Sequence, residues 1–386
     1  YRSIRNCSFL CSSSFSNGSA AFIGTLYSVT ITNTKFIGNR LKCGSGGALF
    51  AESYIISLVS CLFVENSACN LVETFQYHCK MNPKHPNCPK TSEGGGVKIG
   101  QMQSADIVRN KFVANKAFDG GALVAYRRAV VSTKIVGMKY IKLQNCTFLH
   151  NVAMRDGGGI HCTQMLIIQK CAIINNRAIF GLGGGLSTYG DKTEISSTVF
   201  QSNNAMAAGG LFQTYIKGLI QISACSFLHN MGREEGGAVK TDFMHFVLIT
   251  NCNFKENYAS KGGSGYLFAD MISLINSSFI TNWSRKQGGT IFAEPDDITA
   301  TQLVIYSCVF CNSTSGQNGG TIHTEFYNKM CIWSTIFEFN TATNSGGALY
   351  LVAKIPFHKD PKIVKIILGP DNVFLQNSAH EKGIII

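Results

Sequence analysis

The stretch ISACSFLHNMGREEGGAV, residues 222–239, decides the fold because its pattern recurs along the whole chain. Ile222 and Cys225 precede Phe227 by five and two residues, Asn230 follows it by three, and a Gly-Gly doublet comes after. Thirteen such units follow one another, mostly 25 to 27 residues apart. The aromatic anchors are Phe9, Phe36, Phe63, Phe112, Phe148, Phe200, Phe227, Phe254, Phe279, Phe310, Phe337 and Phe374, and Ile173 fills the remaining slot. A fixed period of this length indicates a repeat architecture.

The residues around the anchor keep a strict register. Ile or Leu stands five residues before the anchor in twelve units, and Cys stands two before it in seven. Asn stands three residues after it in eleven units: Asn39, Asn66, Asn115, Asn151, Asn176, Asn203, Asn230, Asn257, Asn282, Asn340 and Asn377. We expect each Asn to bond backbone groups of its own turn and the amide of the next coil. Eleven Gly-Gly doublets exceed chance and predict tight turns or close backbone contacts.

The pattern of each repeat predicts three short strands and no helix. If the chain continued as one straight strand, positions minus seven and minus five would face one side, and positions minus two and zero would face the other. A corner between them is therefore expected, at position minus three. This arrangement describes one coil of a parallel β-helix. We therefore predict an all-β, right-handed parallel β-helix of about thirteen coils, running through residues 1–386 as one body. The longer units place an inserted loop at 69–93 and longer loops near 126–140 and 353–366.

The composition agrees with a folded all-β protein, and the net charge indicates classes of possible partner. With 45% hydrophobic and 15% charged residues the chain is not disordered. A net charge of +12 makes acidic glycans, nucleic acid or anionic lipid possible partners, with a solvated basic surface as the alternative.

No apolar run is long enough for a membrane helix. The start at Tyr1 and the apparent new repeat at Gly383 predict a segment of a longer chain, so any membrane attachment is expected outside it.

Two halves of the repeat together resemble a known family. Gly46-Gly47-Ala48-Leu49 and Phe63-Val64-Glu65-Asn66 are similar to the repeat of chlamydial polymorphic membrane proteins, which also occurs in large protist surface proteins within the pectin-lyase-like β-helix class. The resemblance covers nearly the whole chain. It implies a right-handed β-helix exposed at a cell surface and used for adhesion or structure, and the cysteine content favours a protist member.

The cysteines are divided by position. The seven at position minus two are interpreted as small buried hydrophobes, with a bridge between Cys225 and Cys252 as the alternative. Cys43 and Cys69 are expected to stack in neighbouring turns within disulfide reach, and Cys79 with Cys88 to close the inserted loop. A zinc site beside the last pair is the alternative, although its spacing fits no common ligand pattern.

Six Asn-x-Ser/Thr sequons occur, at Asn6, Asn17, Asn145, Asn276, Asn282 and Asn312. Asn6, Asn145 and Asn276 fall at the outer corner and are glycosylation candidates. Asn282 is an inward turn residue, so we predict that it carries no glycan. Chance occurrence is the alternative in a chain rich in Asn, Ser and Thr.

The sequence favours a scaffold over an enzyme. The adjacent carboxylates Asp296 and Asp297 lack the flanking motifs of pectin hydrolases, and no clustered Asp for a lyase is present. His161 and His323 are interpreted as isolated. We therefore predict a non-enzymatic extracellular or cell-surface scaffold without cofactor or metal, with a polysaccharide lyase or hydrolase as the remaining alternative.

Contact is expected at the side faces, loops and ends. Candidate basic loops contain Arg127, Arg128, Lys134 and Lys139, with charge placed for solubility as the alternative interpretation. Apparently uncapped ends predict further coils or a partner, as in an extracellular filament or coat. The predicted partners are other proteins of such an assembly or glycans, and nucleic acid is set aside because no basic stretch carries interleaved aromatics.

Overall fold

A computed structural model of the chain describes residues 1–14, 17–41, 44–68, 92–100, 102–126, 140–295, 301–325, 329–352 and 365–380. The chain divides into two compact units, Tyr1–Tyr189 and Gly190–Ile386. Throughout the described ranges, both units consist of strands and turns without a helix. Each unit is a parallel β-solenoid of right-handed type, as the repeat predicts.

One coil contains three strands separated by two corners. The Phe anchor lies in the middle of a three-residue strand, and the corner before it is a left-handed residue at position minus three, as at Asn145 with φ 53°. This confirms the predicted corner. A second left-handed residue, such as His150 with φ 55°, stands at position plus two. The turn Asn at plus three is therefore the inward residue directly after this corner.

The first unit contains three parallel sheets. The first sheet consists of Arg2–Arg5, Ala21–Thr32, Leu49–Val59, Val97–Gly100, Ser104–Val108, Leu123–Ala125, Tyr140–Gln144, Ile160–Cys162, Met165–Gln169 and Leu186–Thr188. The second consists of Ser8–Leu10, Lys35–Ile37, Leu62–Val64, Lys111–Val113, Thr147–Leu149 and Ala172–Ile174. The third consists of Ser13–Ser14, Arg40–Leu41, Ser67–Ala68, Lys116–Ala117, Val152–Ala153 and Arg177–Ala178.

The second unit repeats this arrangement. The first sheet consists of Lys192–Ser196, Leu211–Ser223, Val239–Thr250, Gly265–Ile275, Ile291–Glu294, Gln302–Tyr306, Ile322–Glu325, Lys329–Trp333, Leu349–Val352 and Lys365–Leu368. The second consists of Val199–Gln201, Ser226–Leu228, Asn253–Lys255, Ser278–Ile280, Val309–Cys311, Ile336–Glu338 and Val373–Leu375. The third consists of Asn204–Ala205, Met231–Gly232, Tyr258–Lys261, Trp283–Gln287, Thr314–Ser315, Thr341–Ala342 and Ser378–Ala379.

Equivalent residues of successive coils pair in register. Phe63 pairs with Phe112 and Phe112 with Phe148 in the first unit, and Phe227 pairs with Phe254 in the second. The solenoid has about eleven turns. The predicted number of thirteen coils is therefore slightly too high, because it counted every anchor as one complete coil. That the coil continues from one unit to the next stays a prediction.

The Gly-Gly doublet is required by two different constraints. The first glycine of a doublet has a left-handed backbone, as at Gly236 with φ 59°. The second faces the backbone of the next coil, since a Cβ placed on Gly237 would overlap with the Gly263 oxygen. Any larger residue at this second position would force neighbouring coils apart.

No disulfide bridge forms among the described cysteines, Cys225 and Cys252 included. All eleven cysteines within the described ranges are free thiols. Cys43, Cys69, Cys79 and Cys88 lie outside those ranges, so the bridge from Cys43 to Cys69 and the closure of the inserted loop by Cys79 and Cys88 stay predictions. In the part of the chain that the structure describes, no helix has the length and apolar character needed to cross a bilayer.

Candidate functional site

The turn asparagines form a hydrogen-bonded ladder inside each unit. The Asn66 Oδ1 accepts bonds from the backbone N (3.0 Å) and the Nδ2 (2.9 Å) of Asn39, one coil earlier. The Asn66 Nδ2 donates to the Phe36 oxygen (2.9 Å) and to the Asn115 Oδ1 (3.0 Å). Both hydrogens and both acceptor positions of the amide are therefore used. The backbone partners of Asn66 belong to the preceding coil. The prediction that each turn Asn bonds backbone groups of its own turn is therefore wrong.

The second unit contains the same ladder. The Asn257 side chain accepts from the backbone N and the Nδ2 of Asn230, at 3.0 and 3.1 Å, and donates to the Phe227 oxygen and the Asn282 Oδ1, at 2.9 and 3.1 Å. Ser313 interrupts the ladder, but its backbone N still donates to the Asn340 Oδ1 (3.0 Å). These side chains hold the coils together and are not available to a ligand.

The anchor phenylalanines stack face to face beside this ladder. Ring centroids are 4.9 Å apart for Phe63 and Phe112 and 4.7 Å apart for Phe227 and Phe254, with interplanar angles of 5° and 1°. Strand spacing fixes these distances, since neighbouring parallel strands lie about 4.8 Å apart. From Phe36 to Phe337 the anchor rings are fully buried, which makes them core.

A third hydrogen-bonded ladder runs through position minus two. The interpretation of these cysteines as small buried hydrophobes did not include their role as hydrogen-bond acceptors. The backbone N of Cys225 donates to the Cys252 Sγ (3.4 Å), and the backbone N of Cys252 donates to the Ser277 Oγ (3.1 Å). The side chain thus serves as an acceptor, a role that Thr, Ser and Asn fill in other coils. Burial also raises the pKa of Cys308 to about 11, so that thiol stays protonated at neutral pH.

The corner asparagines face outward. Asn6, Asn145 and Asn276 are exposed and left-handed. Asn282 is 1% exposed, its Nδ2 donates to the Phe254 oxygen (3.0 Å), and its Oδ1 accepts from Asn257. Glycosylation of the three corner residues, and its absence at Asn282, stay predictions with a geometric basis.

The predicted contact residues, and the carboxylates considered for the enzyme alternative, lie outside the described ranges. They are Arg127, Arg128, Lys134 and Lys139 of the basic loops, and the carboxylates Asp296 and Asp297. The candidate surface is therefore built from the coils themselves.

The first unit contains a cluster of ionisable groups outside the main core, around His161. The imidazole packs between the rings of Tyr126 and Tyr189, with centroids 5.3 and 5.4 Å away. Its Nδ1 has no hydrogen-bond partner among the described residues. Burial lowers the pKa of His161, and the carboxylates Asp119 and Asp156 oppose this effect. The interpretation of His161 as isolated is wrong, because the coil brings together residues far apart in sequence.

The carboxylates of this cluster are held by donors from the next turn. Asp119 is 1% exposed and accepts from the Arg155 guanidinium, with 2.9 Å between the Nε and the Oδ1, and from the Asp156 backbone N (3.2 Å). The Asp156 Oδ1 accepts from the Leu182 N (2.8 Å), and burial raises the pKa of Asp156. The cluster fastens consecutive Gly-Gly turns to one another.

Replacing His161 by Phe is expected to flatten the acid side of the stability profile. The pKa of His161 is lower in the fold than its ordinary 6.5, so the unfolded chain binds the proton first and stability falls as the pH drops below about 6.5. Phe carries no titratable group. The coil accommodates a Phe side chain here, because Phe292 occupies the equivalent position of the second unit. Urea unfolding at pH 7.5 and 5.5 measures the difference. An equal loss of stability in both proteins would contradict the assignment. The facing groups Glu93, Asp119, Tyr126, Arg155, Asp156 and Tyr189 are common to both proteins.

A related cluster surrounds His323, which occupies in the second unit the position equivalent to His161. His323 stacks between Phe292 (4.9 Å) and Tyr350 (5.0 Å), and its Nε2 lies 3.3 Å from the Glu325 Oε1. His323 is therefore not isolated either. Glu294 lies in the preceding coil and accepts from the hydroxyl of Tyr266, one coil further back; burial raises the pKa of Glu294. Register places Glu294 beside Glu325, a carboxylate pair that adjacency in the sequence does not reveal.

The outer surface of the second unit also contains a shallow polar groove of about 500 Å³ along the first corner. It is lined by amides and hydroxyls from four coils, including Asn251, Asn276, Ser278 and Ser307, and none of its lining residues is charged. Among the residues that the structure describes, no group of three or more His, Cys, Asp or Glu is arranged to hold a metal ion.

Comparison of the chain with protein-family models, with curated proteins and with solved structures found no match.

Proposed function

We propose that this chain is a non-enzymatic structural or adhesive scaffold of an extracellular or cell-surface protein, which binds partner proteins or glycans through its side faces. The observation that carries the proposal is a contrast between inside and outside. The interior columns of Phe and Asn are nearly uniform in both units and use their bonding capacity internally. The outward positions of the same strands differ from coil to coil. A surface that varies on a constant frame suits recognition.

The extracellular setting is supported by two features. Asn6, Asn145 and Asn276 present sequons at exposed corners, where a glycan fits without disturbing the coil. The paired repeat motifs also resemble those of polymorphic membrane proteins and of large protist surface proteins, and the fold implied by that resemblance is the one observed.

The experiment compares binding with turnover. The purified chain is applied to a panel of extracellular-matrix proteins and polysaccharides, and the retained protein and any released glycan fragments are measured. We expect retention without fragments, unchanged in the double variant Glu294→Gln, Glu325→Gln. Fragments that disappear in this variant would replace the scaffold by a hydrolase using the carboxylate pair.

A further inference from the structure

The outward side chains of the first unit form a face with an unusual charge. We define this basic face as the outward residues from position minus three to plus five around the six anchors, described between residues 6 and 178. It carries seven exposed cations and one exposed carboxylate, Glu65. The cations are Lys35, Arg40, Arg109, Lys111, Lys116, Lys170 and Arg177. The equivalent positions of the second unit hold one cation, Lys255, against three carboxylates, Glu256, Glu338 and Asp371.

None of the seven cations forms an ion pair within the described residues. Other cations of the chain do: Lys98 lies 2.7 Å from Glu93, and Lys240 lies 2.9 Å from Glu235. Because exposed charges normally alternate in sign on a solvated surface, seven unpaired cations on one face indicate an external anion.

The cations form rows along the stacking direction. In the third sheet Arg40, Lys116 and Arg177 share one column, separated by Ser67 and by Val152. In the second sheet Lys35 and Lys111 are separated by Leu62. Cations thus recur every second coil, about 10 Å apart. Like charges directly opposite one another destabilise a sheet, which explains the alternation but not the absence of carboxylates in the intervening coils.

From this geometry we infer that the basic face binds a linear acidic polysaccharide lying along the stacked coils. An extended chain with regularly spaced sulfate or carboxylate groups matches a straight row of cations without a pocket. Half-buried aliphatic side chains, Ile37, Val64, Val113, Leu149 and Ile174, run between the rows and offer contacts to the apolar faces of sugar rings. The outward side chains of this face include no Phe, Tyr or Trp for base stacking, which disfavours single-stranded nucleic acid.

This inference rests on the proposed binding role and names its ligand class. The test uses the full chain produced without N-glycans, with heparin as the probe and neutral dextran as the blank. The variant Lys35→Ser, Arg40→Ser, Lys111→Ser, Lys116→Ser removes four charges from the face. Hydroxyl residues already stand at the equivalent positions of the second unit, Ser226 and Thr314 among them, so the coils accommodate the change. The matched control Arg233→Ser, Arg285→Ser, Lys286→Ser, Lys329→Ser removes four exposed charges from the second unit.

We expect heparin affinity at physiological salt to fall about tenfold or more in the face variant and less than about threefold in the control, with a weaker salt dependence in the face variant. Equal losses in both variants would overturn the inference, since net charge alone would then explain binding. Failure of the wild-type chain to bind heparin, or equally tight binding of single-stranded DNA, would also overturn it. The proposed function is tested separately, because retention on matrix proteins and glycan turnover do not depend on heparin.

Discussion

Replacing Asn257 by Leu is expected to lower the free energy of unfolding by at least about 3 kcal/mol. Leu fills a similar volume but leaves the Asn230 backbone N, the Asn230 Nδ2 and the Phe227 oxygen without their partner inside the coil. Each buried polar group that loses its partner costs about 1 to 3 kcal/mol. Urea unfolding followed by circular dichroism measures the loss.

The matched control is Asn253→Leu in the same coil. Asn253 faces outward, where its Oδ1 accepts from the Ser278 Oγ (3.1 Å), and Val309 and Ile336 stand at the equivalent position of later coils. We expect a change below about 1 kcal/mol, as for most surface substitutions. Comparable losses in the two variants would show that the inward ladder is not the main hydrogen-bonded support of the coil.

Replacing Phe254 by Ala is expected to destabilise the second unit by about 3 to 5 kcal/mol, the usual cost of deleting a buried aromatic side chain. The ring is 1% exposed and stacks on Phe227 at 4.7 Å and on Phe279 at 4.8 Å. Its removal breaks two ring contacts and leaves a cavity between backbones that pairing holds in place. Calorimetric and urea unfolding of the purified chain measure the change.

Phe254→Ile separates stacking from filling of the core. Ile173 occupies the anchor position of the first unit and pairs with Phe148, so the coil accepts this side chain. We expect the Phe254→Ile substitution to cost clearly less stability than Phe254→Ala. An equal cost for both would mean that ring stacking, and not packed volume, stabilises the column.

Much of the fold follows from the repeat because each coil contacts mainly its neighbours. Phe227 and Asn230 recur at fixed offsets, so their columns could be predicted from spacing alone. The corner at position minus three was also predictable, since Asn tolerates a left-handed backbone. The second turn was predicted at the Asn, but its left-handed residue at position plus two was not, because that position holds residues as different as Glu65, His150 and Phe339.

The surface could not be predicted in the same way. Arg40, Lys116 and Arg177 are far apart in the sequence, and only strand register brings them into one row. His161 looked isolated for the same reason, since its neighbours Asp119 and Tyr126 lie in the preceding coil. Basic residues that are neighbours in the sequence, such as Arg127 and Arg128, could be recognised as a cluster, so the sequence predicted contact at the loops.

A crystal structure of the chain that locates the aromatic rings tests the central claim most directly. The account predicts one column of anchors in each unit, with neighbouring rings such as Phe254 and Phe279 about 4.8 Å apart and nearly parallel. Asn257 and Asn282 would be joined beside them through their side-chain amides. Anchor rings distributed among separate cores, or asparagines pointing to solvent, would contradict it.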